Sequence, residues 1–98
     1  FSMDGDLAPL DRILALLDRD DDILYVDDAH GTGVIGEGKG AAAHFGLADP
    51  RLVLMGTLSK ALGGIGAFVV GPRELVDVLR SRARSFIFDT ALPPPAAA

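Results

Sequence analysis

The chain has 98 residues, a formal net charge of −5 and 49% hydrophobic residues. That balance excludes a disordered tail and argues against nucleic acid or an anionic membrane as a partner. Without cysteine it is not a disulfide-stapled secreted domain, and no apolar run approaches the roughly 20 residues of a membrane helix.

The predicted elements follow in chain order. "APLDRILALLDRDD" reads as a helix, with Pro9 in its first turn and Leu10, Ile13, Leu14 and Leu17 at helical spacing. Asp20, Asp21 and Asp22 read as a solvated turn. Ile23 to Val26 is a short apolar run, the mark of a buried strand. A glycine-rich stretch follows, then a short helix ending near Gly46. "RLVLMGT" is a second buried strand, "LSKALGGIG" a loop and "AFVV" a third strand. Pro72 opens a helix over "PRELVDVLRSRARS", with Leu75, Val78 and Leu79 on one face and basic residues late, where they complement the helix dipole. "FIF" reads as a short extended piece, and Pro93 to Pro95 break the chain. The opening on Phe1 and the trailing "ALPPPAAA" read as an internal piece of a longer protein.

Spacing sets the sheet. The first two strands are far enough apart for a parallel crossover. Only nine residues separate Gly56 from Gly66, too few for one, so the third strand runs antiparallel to the second. The expected fold class is α/β, a mostly parallel sheet with one reversed strand after the lysine loop.

Chemistry gathers in "VDDAHGTGVIGEGKG". Gly31, Gly33 and Gly36 match G-x-G-x-x-G, but Asp27 to His30 intervene after the strand and "EGKG" is a poor helix start. A carboxylate pair beside a pyrophosphate is also repulsive, so the dinucleotide reading is weak. Asp27, Asp28 and His30 are metal-ligand types. Asp28 and His30 share one face of an extended segment and Asp27 the other, and His44 is the only other histidine. No metal is expected. The plain alternative is a turn aspartate and a satisfied histidine.

Lys60 changes the balance. It stands in "GTLSKALGG" after a buried strand, among small and apolar residues, where an amine loses its proton more readily and can act as a nucleophile. A strand-end aspartate with a loop lysine is what pyridoxal phosphate needs: an amine for its aldehyde and a carboxylate for its ring nitrogen. "GTLSK" lacks the spacing of a nucleotide P-loop.

"FSMDGDLAPL", "VDDAHGTGVIGEGKG", "GTLSKALGGIGAFVVG" and "FDTALPP" occur in this order. Together they resemble the α-oxoamine synthases, pyridoxal-phosphate enzymes of fold type I, from Phe1 to about Pro94. The resemblance implies that residues 1–98 are part of the large cofactor-binding domain, with an N-terminal part and a small C-terminal domain outside this piece. It implies a cytoplasmic homodimer with a shared active site and pyridoxal 5'-phosphate as cofactor. The implied partners are an amino acid and an acyl thioester, on coenzyme A or a carrier protein, with neither nucleic acid nor membrane. Lys60 would hold the cofactor and then serve as base. Asp27 would pair with the ring nitrogen, His30 would hydrogen-bond the phenolic oxygen of the cofactor or the substrate carboxylate region, and Ser2 would lie near that same oxygen. Thr57 and Ser59 would contact the phosphate, and Thr90 the phosphate of the neighbouring subunit. The implied reaction is a decarboxylative condensation of L-alanine with a pimeloyl thioester, with glycine- or serine-using sister enzymes as its nearest rivals. A non-catalytic fragment also fits the chain length, since the 98-residue piece alone is expected to be inactive. A dinucleotide module is the remaining rival. Two residues depart from the family pattern: Lys39 for the common Arg, and Asp89 for the usual Ser, where a carboxylate near a phosphate is unfavourable.

Overall fold

The structure, a computed structural model, describes residues 1–97. The elements are α1 (Leu10–Leu14), β1 (Leu24–Asp27), α2 (Ala41–His44), β2 (Leu52–Thr57), β3 (Ala67–Val70), α3 (Arg73–Arg82), α4 (Arg84–Ile87) and α5 (Pro94–Ala97). The sheet has the order β1-β2-β3, with β1 parallel and β3 antiparallel to β2. Asp27 pairs with Met55, and Gly56 with Phe68. The mixed sheet expected from loop lengths is therefore present.

Central position decides burial. In β2, Leu52, Val53, Gly56 and Thr57 are buried, because both neighbouring strands cover it. The edge strands are open. In β1 only Val26 is buried, and the expectation that Ile23 and Tyr25 are buried fails. Every residue of β3 is exposed. The core is small: Leu10, Leu14, Val26, Ala29, Ala42, Leu52 and Val53. One face of β2 meets the start of α3, since Val53 and Leu75 both approach Gly71.

Four local expectations are corrected. The first helix ends at Leu14, and Leu16 and Leu17 only reach back to the carbonyls of Ile13 and Leu14, a tightening of the last turn. In α3 the half-buried side chains are Leu75, Val76 and Leu79, whereas Val78 is exposed. Phe86 to Phe88 are not extended. Ala83 leaves the helical region, and Arg84–Ile87 then closes a separate helical turn. The prolines at 93 to 95 do not simply break the chain. Pro94 and Pro95 open α5, where an absent N–H costs nothing.

Candidate functional site at the strand ends

In an open α/β sheet, ligands bind beyond the carboxyl ends of the parallel strands. Four of the candidate residues stand there. Asp27 ends β1, Thr57 ends β2, and Ser59 and Lys60 follow in the next loop. His30 follows Asp27 in a turn built on the Asp28 carbonyl, which accepts from the amides of Gly31 and Thr32. That turn breaks the strand alternation: Asp28 is buried and His30 exposed, so the two do not share an extended face.

The two adjacent aspartates have opposite surroundings. Asp27 is exposed, and its Oδ1 accepts from the amide of Ala29 at 3.1 Å. Its Oδ2 has no hydrogen-bond partner among the described residues. Asp28 is 8% exposed, and its Oδ2 accepts from the amide of Ala41 at 2.8 Å.

Lys60 lies at the tip of a closed loop. The amide of Leu58 donates to the Gly66 carbonyl, continuing the β2–β3 ladder, and the amide of Gly64 donates to the Leu58 carbonyl. A turn from Lys60 to Gly63 closes the tip, with Gly63 in the left-handed region that favours glycine. Lys60 is exposed and makes no salt bridge among the described residues.

Thr57 is buried at the base of this loop. Its Oγ1 lies 3.0 Å from the Gly66 carbonyl and 2.8 Å from Ser59 Oγ, and it accepts from the Ser59 amide. A hydroxyl has one proton to give. When Thr57 gives it to Gly66, Ser59 must donate to Thr57. When Thr57 gives it to Ser59, the Ser59 hydroxyl is free to donate outward. Thr57 thus shapes the loop, while the exposed Ser59 presents its hydroxyl to solvent.

Two candidates stand apart. Ser2 is exposed in a turn closed by the amide of Gly5 on the Phe1 carbonyl, and no hydrogen bond ties it to the strand ends among the described residues. Thr90 is exposed, and its amide donates to its neighbour's carboxylate, Asp89 Oδ1, at 2.9 Å. Its segment does return toward the lysine loop, because Leu92 packs against Gly66.

The glycines serve close approach within the protein. The next helix after Gly31, Gly33 and Gly36 is the four-residue α2, ten residues after the first of them, so no helix opens directly on the glycines as a dinucleotide loop requires. Gly33 abuts the side chains of Ala61 and Leu62, and Gly56 lies under Thr32 and the ring of Phe68. These contacts cross the chain at long range and have no local signature. No group of three or more His, Asp or Glu residues is placed to hold a metal among the described residues.

The donor set fits pyridoxal phosphate in kind. It offers an amine for an aldehyde, a carboxylate for a ring nitrogen, an imidazole for a phenolic oxygen and a hydroxyl for a phosphate, all at one end of the sheet.

Comparison with known proteins agrees with this architecture. The chain is 59% identical over all 98 residues to 8-amino-7-oxononanoate synthase of Chromobacterium violaceum, of which it covers 26%. Among solved structures, 8-amino-7-oxononanoate synthase from Francisella tularensis matches 96% of the chain at 35% identity and a TM-score of 0.82, with 28% of that protein covered. A structure of SPT with a PLP internal aldimine matches 98% at 35% identity and a TM-score of 0.84, with 24% covered. The chain thus spans about a quarter of the length of the proteins it matches. The family model for aminotransferase class I and II matches residues 1–98, and the chain belongs to that family.

Proposed function

We propose that these residues carry the cofactor-holding part of a pyridoxal-phosphate-dependent acyltransferase. Its reaction joins L-alanine to a pimeloyl thioester, with loss of carbon dioxide and thiol, to give 8-amino-7-oxononanoate for biotin synthesis. One observation carries the reading: an exposed lysine, an exposed carboxylate and hydroxyls meet at the carboxyl end of β1 and β2. The names of the matched relatives, 8-amino-7-oxononanoate synthases, support this choice of product.

When bound, pyridoxal phosphate supplies an electron sink for the pair left by removal of a proton next to the substrate's carboxylate. The chain's own residues do the rest. Lys60 provides the amine that anchors the cofactor and, once displaced by substrate, takes that proton. Asp27, through its free Oδ2, holds a proton on the ring nitrogen. His30 donates to the oxygen on the opposite side of the ring. Ser59 donates to the phosphate, and Thr57 supports that contact from the base of the loop by turning its own proton toward Ser59. Ser2 adds to the oxygen side, and Thr90 reaches the phosphate of a second subunit. Residues 1–98 then form part of the large domain of a cytoplasmic homodimer, the remaining parts lying elsewhere in the full-length protein.

Borohydride reduction of the full-length protein loaded with pyridoxal phosphate, followed by peptide mapping, is expected to label Lys60. Label on another lysine rejects the reading. A serine-using sister activity is the second reading, favoured by the SPT neighbour. Assays with alanine, glycine and serine against several acyl thioesters, scored by free thiol, separate the two.

A further inference from the structure

We infer that Asp28 is a positioning residue, whose buried carboxylate clamps the Gly31–Gly40 loop and thereby sets where Lys60 stands relative to Asp27 and His30. The inference rests on Lys60 being the cofactor lysine.

Asp28 is bonded in three directions. Its amide donates to the Met55 carbonyl on β2 at 2.8 Å. Its carbonyl accepts from Gly31 and Thr32, which builds the turn that carries His30. Its Oδ2 accepts from Ala41 at the far end of the glycine loop, thirteen residues on. Gly31 and Gly40 line the carboxylate so closely that a Cβ at either position would collide with it. No salt bridge includes Asp28 among the described residues. A buried carboxylate without a cation is costly, and here backbone dipoles and the Ala41 hydrogen bond must hold it.

The clamped loop has an inner edge and an outer edge. Internally it is closed by the amide of Gly33 on the Gly38 carbonyl, by Gly40 on Ile35 and by the bridge between Thr32 and Lys39. Externally, a Cβ at Gly33 would lie 3.1 Å from Ala61 Cβ and 3.2 Å from Leu62 Cδ2, the two residues after Lys60. Thr32 lies against Gly56, one residue before the end of β2. The loop therefore fills the space between the Asp28 carboxylate and the lysine loop. Releasing one side lets the other shift, and a displacement near 1 Å at a reacting group costs up to about 100-fold in rate.

The test uses the full-length protein loaded with pyridoxal phosphate. D28A is expected to lower kcat about 10- to 100-fold with little change in KM for the amino acid, and to displace the visible absorption band of the bound cofactor. D28N keeps a carbonyl oxygen for Ala41 and should retain near-normal kcat and band. Gly31→Ala keeps the side chains of Asp28, Asp27 and His30 but pushes a methyl into the Asp28 carboxylate and displaces it, so it should reproduce the D28A changes. In the D28A background the same methyl enters vacated space and should add nothing. If D28A does not fold, Gly31→Ala alone decides through the same kcat, KM and band. A normal band and kcat in the folded D28A and Gly31→Ala proteins overturn the inference, as does full additivity of the two changes. Borohydride label on Lys60 with an unmoved band sinks this inference alone; label elsewhere sinks the cofactor assignment beneath it.

Discussion

The corner from Asp27 to His44 and the longer stretch from Ala67 to Ala97 are of opposite construction. The corner is held by its own backbone. Bonds from Asp28, Gly31, Ile35 and Gly40 knit the turns, and Asp28, Ala29, Gly40 and Ala42 are buried. The later stretch makes the regular bonds of β3 and α3 but buries no residue. Phe68, Val70, Val78, Phe86 and Phe88 all stand open, Phe88 at 78% exposure. The difference teaches where each region gets its order. The corner is specified locally and can hold functional groups in place. The later stretch offers apolar surface that needs other protein against it.

The largest expected effect tests the chemistry of the first region. Lys60→Ala in the full-length protein should lower turnover by at least about 1,000-fold, the loss of an anchor and a base together. Thermal unfolding of the cofactor-free protein should barely change, because Lys60 is exposed at its loop tip and makes no salt bridge among the described residues. A variant that melts early instead would make the lysine structural.

Phe86→Ala probes the second region. At 63% exposure in this chain it should be nearly neutral, yet in the full-length protein we expect a cost of about 3 kcal/mol in urea unfolding, the value for a buried phenylalanine. A neutral result there would show that the face stays in water and would erase the contrast. Gly36→Ala sharpens the comparison from the other side. Gly36 has φ 58°, and an added Cβ would meet the Gly40 carbonyl and the His44 amide, both backbone. About 2 kcal/mol of stability should be lost by strain alone.

The smallest effect concerns pH. The Arg51 side chain donates to Asp49 and holds its carboxyl below the usual carboxylate range, while Arg51 also reaches the Leu17 carbonyl. A carboxyl lowered in the folded state stabilises above its unfolded pKa, and that contribution is lost as pH falls through the folded value. Asp49→Asn should therefore slightly reduce stability at neutral pH and flatten its acid-side decline. High salt should weaken the difference, since the pair is partly exposed.

Much of the fold is legible in the sequence because it follows from lengths. Nine residues between Gly56 and Gly66 cannot make a parallel crossover, and the Leu58–Gly66 hydrogen bond closes that connection as a hairpin. The exposure of β1 is not legible, because an apolar run looks alike at an edge and at a centre. The helical turn at Phe86 to Phe88 is hidden too, because aromatic residues favour strands only when a partner strand is present. The residue types at the strand ends are as legible as the sheet, and so is the register of Lys60 after β2. The contacts that unite the two loops are not. Ala41 is thirteen residues from Asp28, and Ala61 is twenty-eight from Gly33.

The sequence by itself determined which chemical groups are available and that Asp27 and Asp28 point to opposite sides of a strand, since side chains alternate along an extended chain. It did not say which side would be covered. The tertiary structure decided that by placing Gly31, Gly40 and the Ala41 amide over Asp28 while leaving Asp27 exposed, its Oδ2 without a hydrogen-bond partner among the described residues. Alternation is a local property of the backbone, whereas burial depends on which distant segments return to pack.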